Sequence, residues 1–182
     1  MTCRLSTVAA STLLLACVSQ PATAQAPQLA YGLSPADVSN GFIASVLEAC
    51  VTAAERGVRL DQLSNYRILR DTIRSTSRPP KPGYAAWAPG LGQGIVEIED
   101  GPGGCDVSAH GAPIASTFEI IVSSLRARGY ALAPVEAAYP VRLQTKLANG
   151  RSVTVVLTGV EAAPGAQAQF SQLTAAVTSI AP

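Results

Sequence analysis

The chain has 182 residues, of which 48% are hydrophobic and 14% charged, and its formal net charge is +1. This composition excludes a disordered chain, and the length suits one domain with one hydrophobic core. The balanced charge excludes nucleic acid as an expected partner.

The N-terminal residues 1–24 have the order of features that marks an export signal. Arg4 is followed by an uncharged, mostly apolar run, and the segment from Pro21 to Ala24 supplies the small residues that a signal peptidase accepts. The apolar run is shorter than the roughly 20 residues of a membrane span. We therefore expect an exported protein, periplasmic or extracellular, with no transmembrane span in the mature chain.

A second processing route is open at the same end of the chain. The segment Leu14–Cys17 (sequence LLAC) resembles the bacterial lipoprotein signal, in which a cysteine that follows a small residue is acylated. The resemblance implies anchoring in the outer envelope through Cys17 instead of cleavage after Ala24. By either route, residues 25–33 form a mobile lead-in and residues 34–182 a single domain.

The first predicted element is an amphipathic helix that begins at Ser34 and ends at Gly57. Ser34 can cap the helix, Pro35 suits the first turn, and Asp37 suits the positive end of the helix dipole. Apolar residues then recur at helical spacing and define one inward face. They are Phe42, Ile43, Val46, Leu47, Cys50 and Ala54.

A second helix is predicted over Leu60–Arg74, and the Pro-rich segment 78–83 ends it. Basic residues predominate between positions 56 and 81, and those on this helix would line one stripe. An anionic surface or an acidic envelope protein is the partner that such a stripe suits. The alternative is that the basic residues pair with acidic residues of the next element. The candidate surface consists of Arg67, Arg70, Arg74 and Arg78.

The next element is predicted to be a hairpin that turns at Asp100–Gly104. Val96 and Ile98 alternate with glutamates before the turn, and Cys105 begins a second alternating run after it. Cys105 and Cys50 therefore both face the core, and they are the two cysteines outside the export signal. We predict a disulfide between them, with two buried free thiols as the alternative.

The rest of the chain is predicted as a helix from Pro113 to Gly129, a short strand at Tyr130–Ala133, a strand pair and a last strand near residues 173–177. The pair is formed by Val141–Leu147 and Ser152–Thr158. A two-residue Asn-Gly turn would put apolar residues on both faces of this pair. We therefore predict a three-residue loop that pairs Leu143 with Val155 and leaves Gly150 left-handed.

Together these elements predict an α+β fold. It has two layers, with a mainly antiparallel sheet of about five strands and two or three helices packed on one face.

No catalytic motif follows from the sequence. His110 is the single histidine and shares a strand face with Asp106, too few groups for a metal site. The glycines between Gly90 and Gly94 precede a strand, whereas a phosphate loop opens a helix. We expect a non-catalytic binding or envelope-accessory domain without cofactor or metal. A small exported hydrolase with an unrecognised active site is the alternative.

Overall fold

The structure is a computed structural model that describes residues 32–63, 72–74, 81–89, 95–133, 140–164 and 171–182. The predicted export signal and the lipoprotein segment lie outside these residues, as do Arg67, Arg70 and Arg78 of the candidate surface.

The first helical segment begins and ends where the sequence predicts. Ser34 Oγ accepts a hydrogen bond from Asp37 N at 3.2 Å, and Asp37 Oδ2 accepts one from Ser34 N at 2.9 Å. Ser34 Oγ also donates to Asp37 Oδ2 at 2.7 Å, and this hydrogen bond, followed by the one from Ser34 N, lowers the pKa of Asp37. At the other end, Gly57 adopts a left-handed φ of 68°. The segment has three parts: α1 (Pro35–Ala44), a π-helical stretch (Ser45–Cys50) and α2 (Val51–Arg56).

The π-helical stretch was not predicted, and it widens the buried face of this segment. A π-helical turn contains more residues than an α-helical turn, so this stretch changes the side of the helix that the following residues face. Ala49 to Ala54 are all buried. The Leu47 carbonyl accepts hydrogen bonds from Thr52 Oγ1 and Arg128 Nη1, each at 3.2 Å. Arg128 lies at the end of the next helix, so this carbonyl ties the two helical segments together.

That next helix, α3 (Ile114–Ala127), confirms the prediction for this region. Phe118 stacks on Phe42 of α1 with ring centroids 6.3 Å apart. The two helices also share a buried hydrogen bond, because Ser39 Oγ and Thr117 Oγ1 lie 2.8 Å apart. A buried polar pair of this kind satisfies groups that would otherwise be costly to bury.

All strands described belong to one antiparallel sheet of eight strands, in the order β1-β2-β3-β4-β8-β7-β6-β5. The last strand in the chain therefore lies in the middle of the sheet. The strands are β1 (Thr72–Arg74), β2 (Ala85–Pro89), β3 (Val96–Gly101), β4 (Gly104–His110), β5 (Ala131–Leu132), β6 (Val141–Lys146), β7 (Ser152–Val160) and β8 (Gln172–Ile180).

Alternation along the strands gives the sheet an inner face that packs on the helices. Buried residues of the four central strands, among them Val107, Val155 and Val177, form one cluster with helical residues such as Phe42 and Phe118. The intervening residues of the same strands point away from the helices. We call that second surface the outer face.

The predicted pairings of two hairpins are confirmed. β3 and β4 pair from Val96↔Ala109 to Gly101↔Gly104, so the turn lies within the predicted Asp100–Gly104 segment but is shorter, with only Pro102 and Gly103 between the strands. In the β6–β7 pair, Leu143 lies opposite Val155, and Gly150 has a left-handed φ of 84°. The three-residue loop is therefore correct, because it puts Val141 and Leu143 on the same face as Val155 and Leu157.

Two expectations about the number of elements are wrong. The sheet has eight strands instead of about five, because β1 and β2 were not foreseen. β2 reads Ala-Ala-Trp-Ala-Pro and carries no polar–apolar alternation that would reveal a strand. The predicted second helix also fails at both ends: Leu60–Gln62 is a 3-10 turn and Thr72–Arg74 is strand β1, while residues 64–71 lie outside the described residues.

Candidate functional site

The predicted basic stripe does not form as one helix face. Arg74 lies in β1, opposite Trp87 of β2, so it cannot share a helical stripe with Arg67 and Arg70. Those two residues and Arg78 lie outside the described residues. Binding of an anionic partner by this set stays a prediction.

The predicted disulfide is present in the structure. Cys50, at the end of the π-helical stretch, is bonded to Cys105 of β4, with their Cα atoms 5.5 Å apart. Both side chains are buried in the core. The bond joins the first helical segment to the β3–β4 hairpin and fixes the distance between them.

A cleft of about 200 Å³ opens beside this disulfide. One wall is the end of α2 with the turn that follows it. The other wall comes from the β3–β4 turn and from the neighbouring ends of β7 and β8. We call it the arginine cleft, because its polar lining includes Arg59 and Arg151 together with Gln62, Asp100 and Ser179.

Arg59 is held in the cleft by a buried carboxylate. Its Nε lies 2.7 Å from Asp100 Oδ2, and its Nη2 donates to the Asp100 carbonyl oxygen at 2.6 Å. The same Oδ2 accepts from Leu60 N at 3.2 Å. Because Asp100 is only 5% exposed, these protein donors supply the hydrogen bonds that water would give to an exposed carboxylate. Arg59 remains partly exposed, with 39% of its side chain accessible.

Arg151 occupies the place that a side chain at position 57 would need. A Cβ built on Gly57 would collide with Nη2 of Arg151. The guanidinium therefore lies against the C-terminal end of α2, where the helix dipole favours a cation. Its Nε is buried and has no hydrogen-bond partner among the described residues.

The arginine cleft thus carries two guanidinium groups against one carboxylate, and that carboxylate is already bound to Arg59. Guanidinium groups offer planar sets of N–H donors that match carboxylate and phosphate oxygens. The arrangement suits the binding of a small anion. It was missed from the sequence because Arg59, Asp100 and Arg151 carry no local motif, and only the pairing of distant elements brings them together.

The basic residues 56–81 also supply a second ion-pair cluster, on the outer face. Lys81 Nζ lies 3.0 Å from Asp106 Oδ2 and 3.3 Å from Glu99 Oε2, and 5.4 Å from the ring centre of Tyr84. The hydrogen bond and attraction of Asp106, followed by those of Glu99, raise the pKa of Lys81. For Arg59 and Lys81, the alternative of pairing with the acidic hairpin is therefore confirmed.

His110 is exposed at the end of β4, opposite Gln172 of β8. Within the described ranges, no three side chains of His, Cys, Asp or Glu converge as metal ligands would. No helix in the described part of the chain is long and apolar enough to cross a membrane. Comparison with known proteins finds no family model that matches the chain, and no curated protein or solved structure with significant similarity to it.

Proposed function

We propose that the protein is a small exported, non-catalytic binding domain that recognises an anionic group in the arginine cleft. Export is supported by the signal-like N-terminus and by the disulfide, since disulfides persist in oxidising compartments. The anionic partner predicted from the basic segment is retained. The arginine cleft is the site that we propose for this partner.

The observation that carries the proposal is the buried Nε of Arg151, which has no hydrogen-bond partner among the described residues. Leaving a buried donor unsatisfied costs about 1–3 kcal/mol, and more when the group is charged. An oxygen cannot reach this Nε while it is buried, so we expect an anion in the cleft to draw the Arg151 side chain toward it and thereby remove this cost. Arg59 would add a second positive charge, because Asp100 holds its position and leaves part of the guanidinium exposed.

The size of the cleft limits what it can hold. At about 200 Å³ it is smaller than the roughly 300–1,000 Å³ typical of pockets for drug-sized ligands. We therefore expect it to hold one carboxylate or phosphate group, either free or at the end of a larger molecule. The rest of such a molecule would extend into solvent.

The proposal is tested by titrating the purified protein with inorganic phosphate and with acetate at constant ionic strength, by calorimetry and by thermal unfolding. Saturable binding of one of these anions should raise the melting temperature as ligand concentration passes the dissociation constant. Arg151→Ala should abolish the effect. Arg151→Lys keeps the charge but loses the planar donors, so it should bind more weakly than the wild type.

Arg126→Ala is the matched control, because it removes the same charge from an exposed position on α3. It should leave binding unchanged. Circular dichroism of each variant establishes that the fold is retained. If neither anion binds the wild type, or if Arg151→Ala binds as well as the wild type, the proposed function is wrong.

Export is tested separately by the intact mass of the protein recovered from its host. Loss of residues 1–24 is expected. A mature chain that begins at an acylated Cys17 would select the lipoprotein route. A cytosolic chain that still begins at Met1 would contradict export while leaving the arginine cleft to be judged by the titrations.

A further inference from the structure

The outer face carries a continuous row of side chains across five neighbouring strands. Pairing places Glu99 opposite Asp106, Asp106 opposite Ala176, Ala176 opposite Val156, and Val156 opposite Arg142. Residues that are directly opposite in an antiparallel pair share a face. The row therefore runs from β3 through β4, β8 and β7 to β6, on the side of the sheet that the helices do not cover.

The two ends of this row have opposite charge. At the β3–β4 end, Glu99 and Asp106 share one ammonium group, that of Lys81. Arg142 and Lys146 are exposed at the β6 end, and neither has an ion-pair partner among the described residues. The charged ends cannot neutralise each other within one chain, because Asp106 and Arg142 are about 14 Å apart at the usual strand spacing.

The middle of the row is neutral and small. Val156 and Ala176 are partly exposed and do not belong to the core cluster. Ser108, Thr158 and Thr174 flank them on the same face. A groove of about 250 Å³ lies over this region, between Lys81 and Val156. Because no long side chain lies at the centre of this region, another sheet can approach it closely.

We propose that the outer face is the interface of a symmetric dimer, in which a second copy of this chain stacks its own outer face on the first. A two-fold axis parallel to the strands, between β8 and β7, brings β4 of each copy over β6 of the other. Ala176 then faces the partner's Val156, and Asp106 faces the partner's Arg142. The same pair forms twice, as an isologous interface requires.

This pattern favours a second copy over an unrelated partner because the row is complementary to itself. Asp106 and Arg142 both lie one and a half strand spacings from the axis, on opposite sides of it. The patch that the two copies share spans four strands, β4, β8, β7 and β6, and about six residues of each, so the two copies would bury roughly 800 Å² in total. That area is at the low end for specific interfaces, so we expect a weak dimer that salt dissociates.

The test is sedimentation velocity of the purified protein over a range of concentrations, at low and at high salt. We expect a monomer–dimer equilibrium that shifts toward monomer as salt is added. Arg142→Glu replaces two attractive pairs by two repulsive ones and should raise the dissociation constant about tenfold. Val156→Arg, at the centre, should abolish the dimer.

Charge exchange distinguishes this interface from any other. The double variant Asp106→Arg/Arg142→Asp restores opposite charges across the axis and should regain dimerisation that Arg142→Asp alone loses. Arg126→Glu, on the exposed surface of α3, is the control and should dimerise as the wild type does. A protein that is monomeric even at about 1 mM, or a dimer that Val156→Arg and Arg142→Glu leave intact, would overturn the proposal. Neither result bears on the arginine cleft.

Discussion

Replacing Cys50 and Cys105 together by alanine should lower the free energy of unfolding by about 4 kcal/mol. The bond closes a loop of 55 residues, and the magnitude is the entropy that an unfolded chain regains when a loop of that length opens. Alanine keeps both buried positions apolar, whereas serine would bury a hydroxyl group that needs a partner.

For a chain of this size, a loss of about 4 kcal/mol corresponds to a fall of about 8–16 °C in the melting temperature. The measurement is urea unfolding of three samples: the oxidised wild type, the wild type under reductant, and the double variant. The reduced wild type and the double variant should agree, since both lack the cross-link. A loss below about 1 kcal/mol in both samples would refute the loop-closure reasoning.

Two further substitutions, Gly57→Ala and Tyr130→Phe, test local features of the fold. Gly57→Ala places a methyl group where the Arg151 guanidinium lies, in addition to the left-handed backbone penalty of about 1–2 kcal/mol. Gly129→Ala is the reference, because it has the same backbone penalty and no atom within 4 Å of the added methyl group. Urea unfolding should therefore show a larger loss of unfolding free energy for Gly57→Ala than for Gly129→Ala. Equal losses would contradict the packing of Arg151 against Gly57. Burial, and then the hydrogen bond to Glu55, raise the pKa of Tyr130. Because the folded chain keeps this proton to higher pH than the unfolded chain, stability should fall as the pH rises above about 10. Tyr130→Phe should flatten that fall in a series of unfolding measurements, and an unchanged slope would contradict the raised pKa.

Local periodicity explains most of what the sequence predicted correctly. The start of the first helix is indicated within four residues by Ser34, Pro35 and Asp37, and its end is indicated by Gly57. Alternation fixed the face of Cys105, as helical spacing fixed that of Cys50. The register of β6 and β7 followed because one loop length keeps apolar residues on one face and the other does not.

Features that depend on distant partners were not predicted. The apolar spacing in Leu60–Arg74 suits a helix, but Thr72–Arg74 pairs with β2 instead, and such pairing overrides local preference. The arginine cleft was not predicted from the sequence for the same reason. Arg151 follows an Asn-Gly turn, and nothing nearby indicates that its guanidinium lies against the end of a helix almost a hundred positions earlier.

The central place of β8 has a consequence for the order in which this protein can fold. Within the sheet, β1–β4 and β5–β7 are joined only through β8, which pairs with β4 on one side and β7 on the other. Neither half can complete its hydrogen bonding until residues 172–180 have left the ribosome or the export channel. Contacts so distant in sequence close slowly. This arrangement would suit the export proposed above, because the core cannot be completed while residues 172–180 are still crossing the membrane.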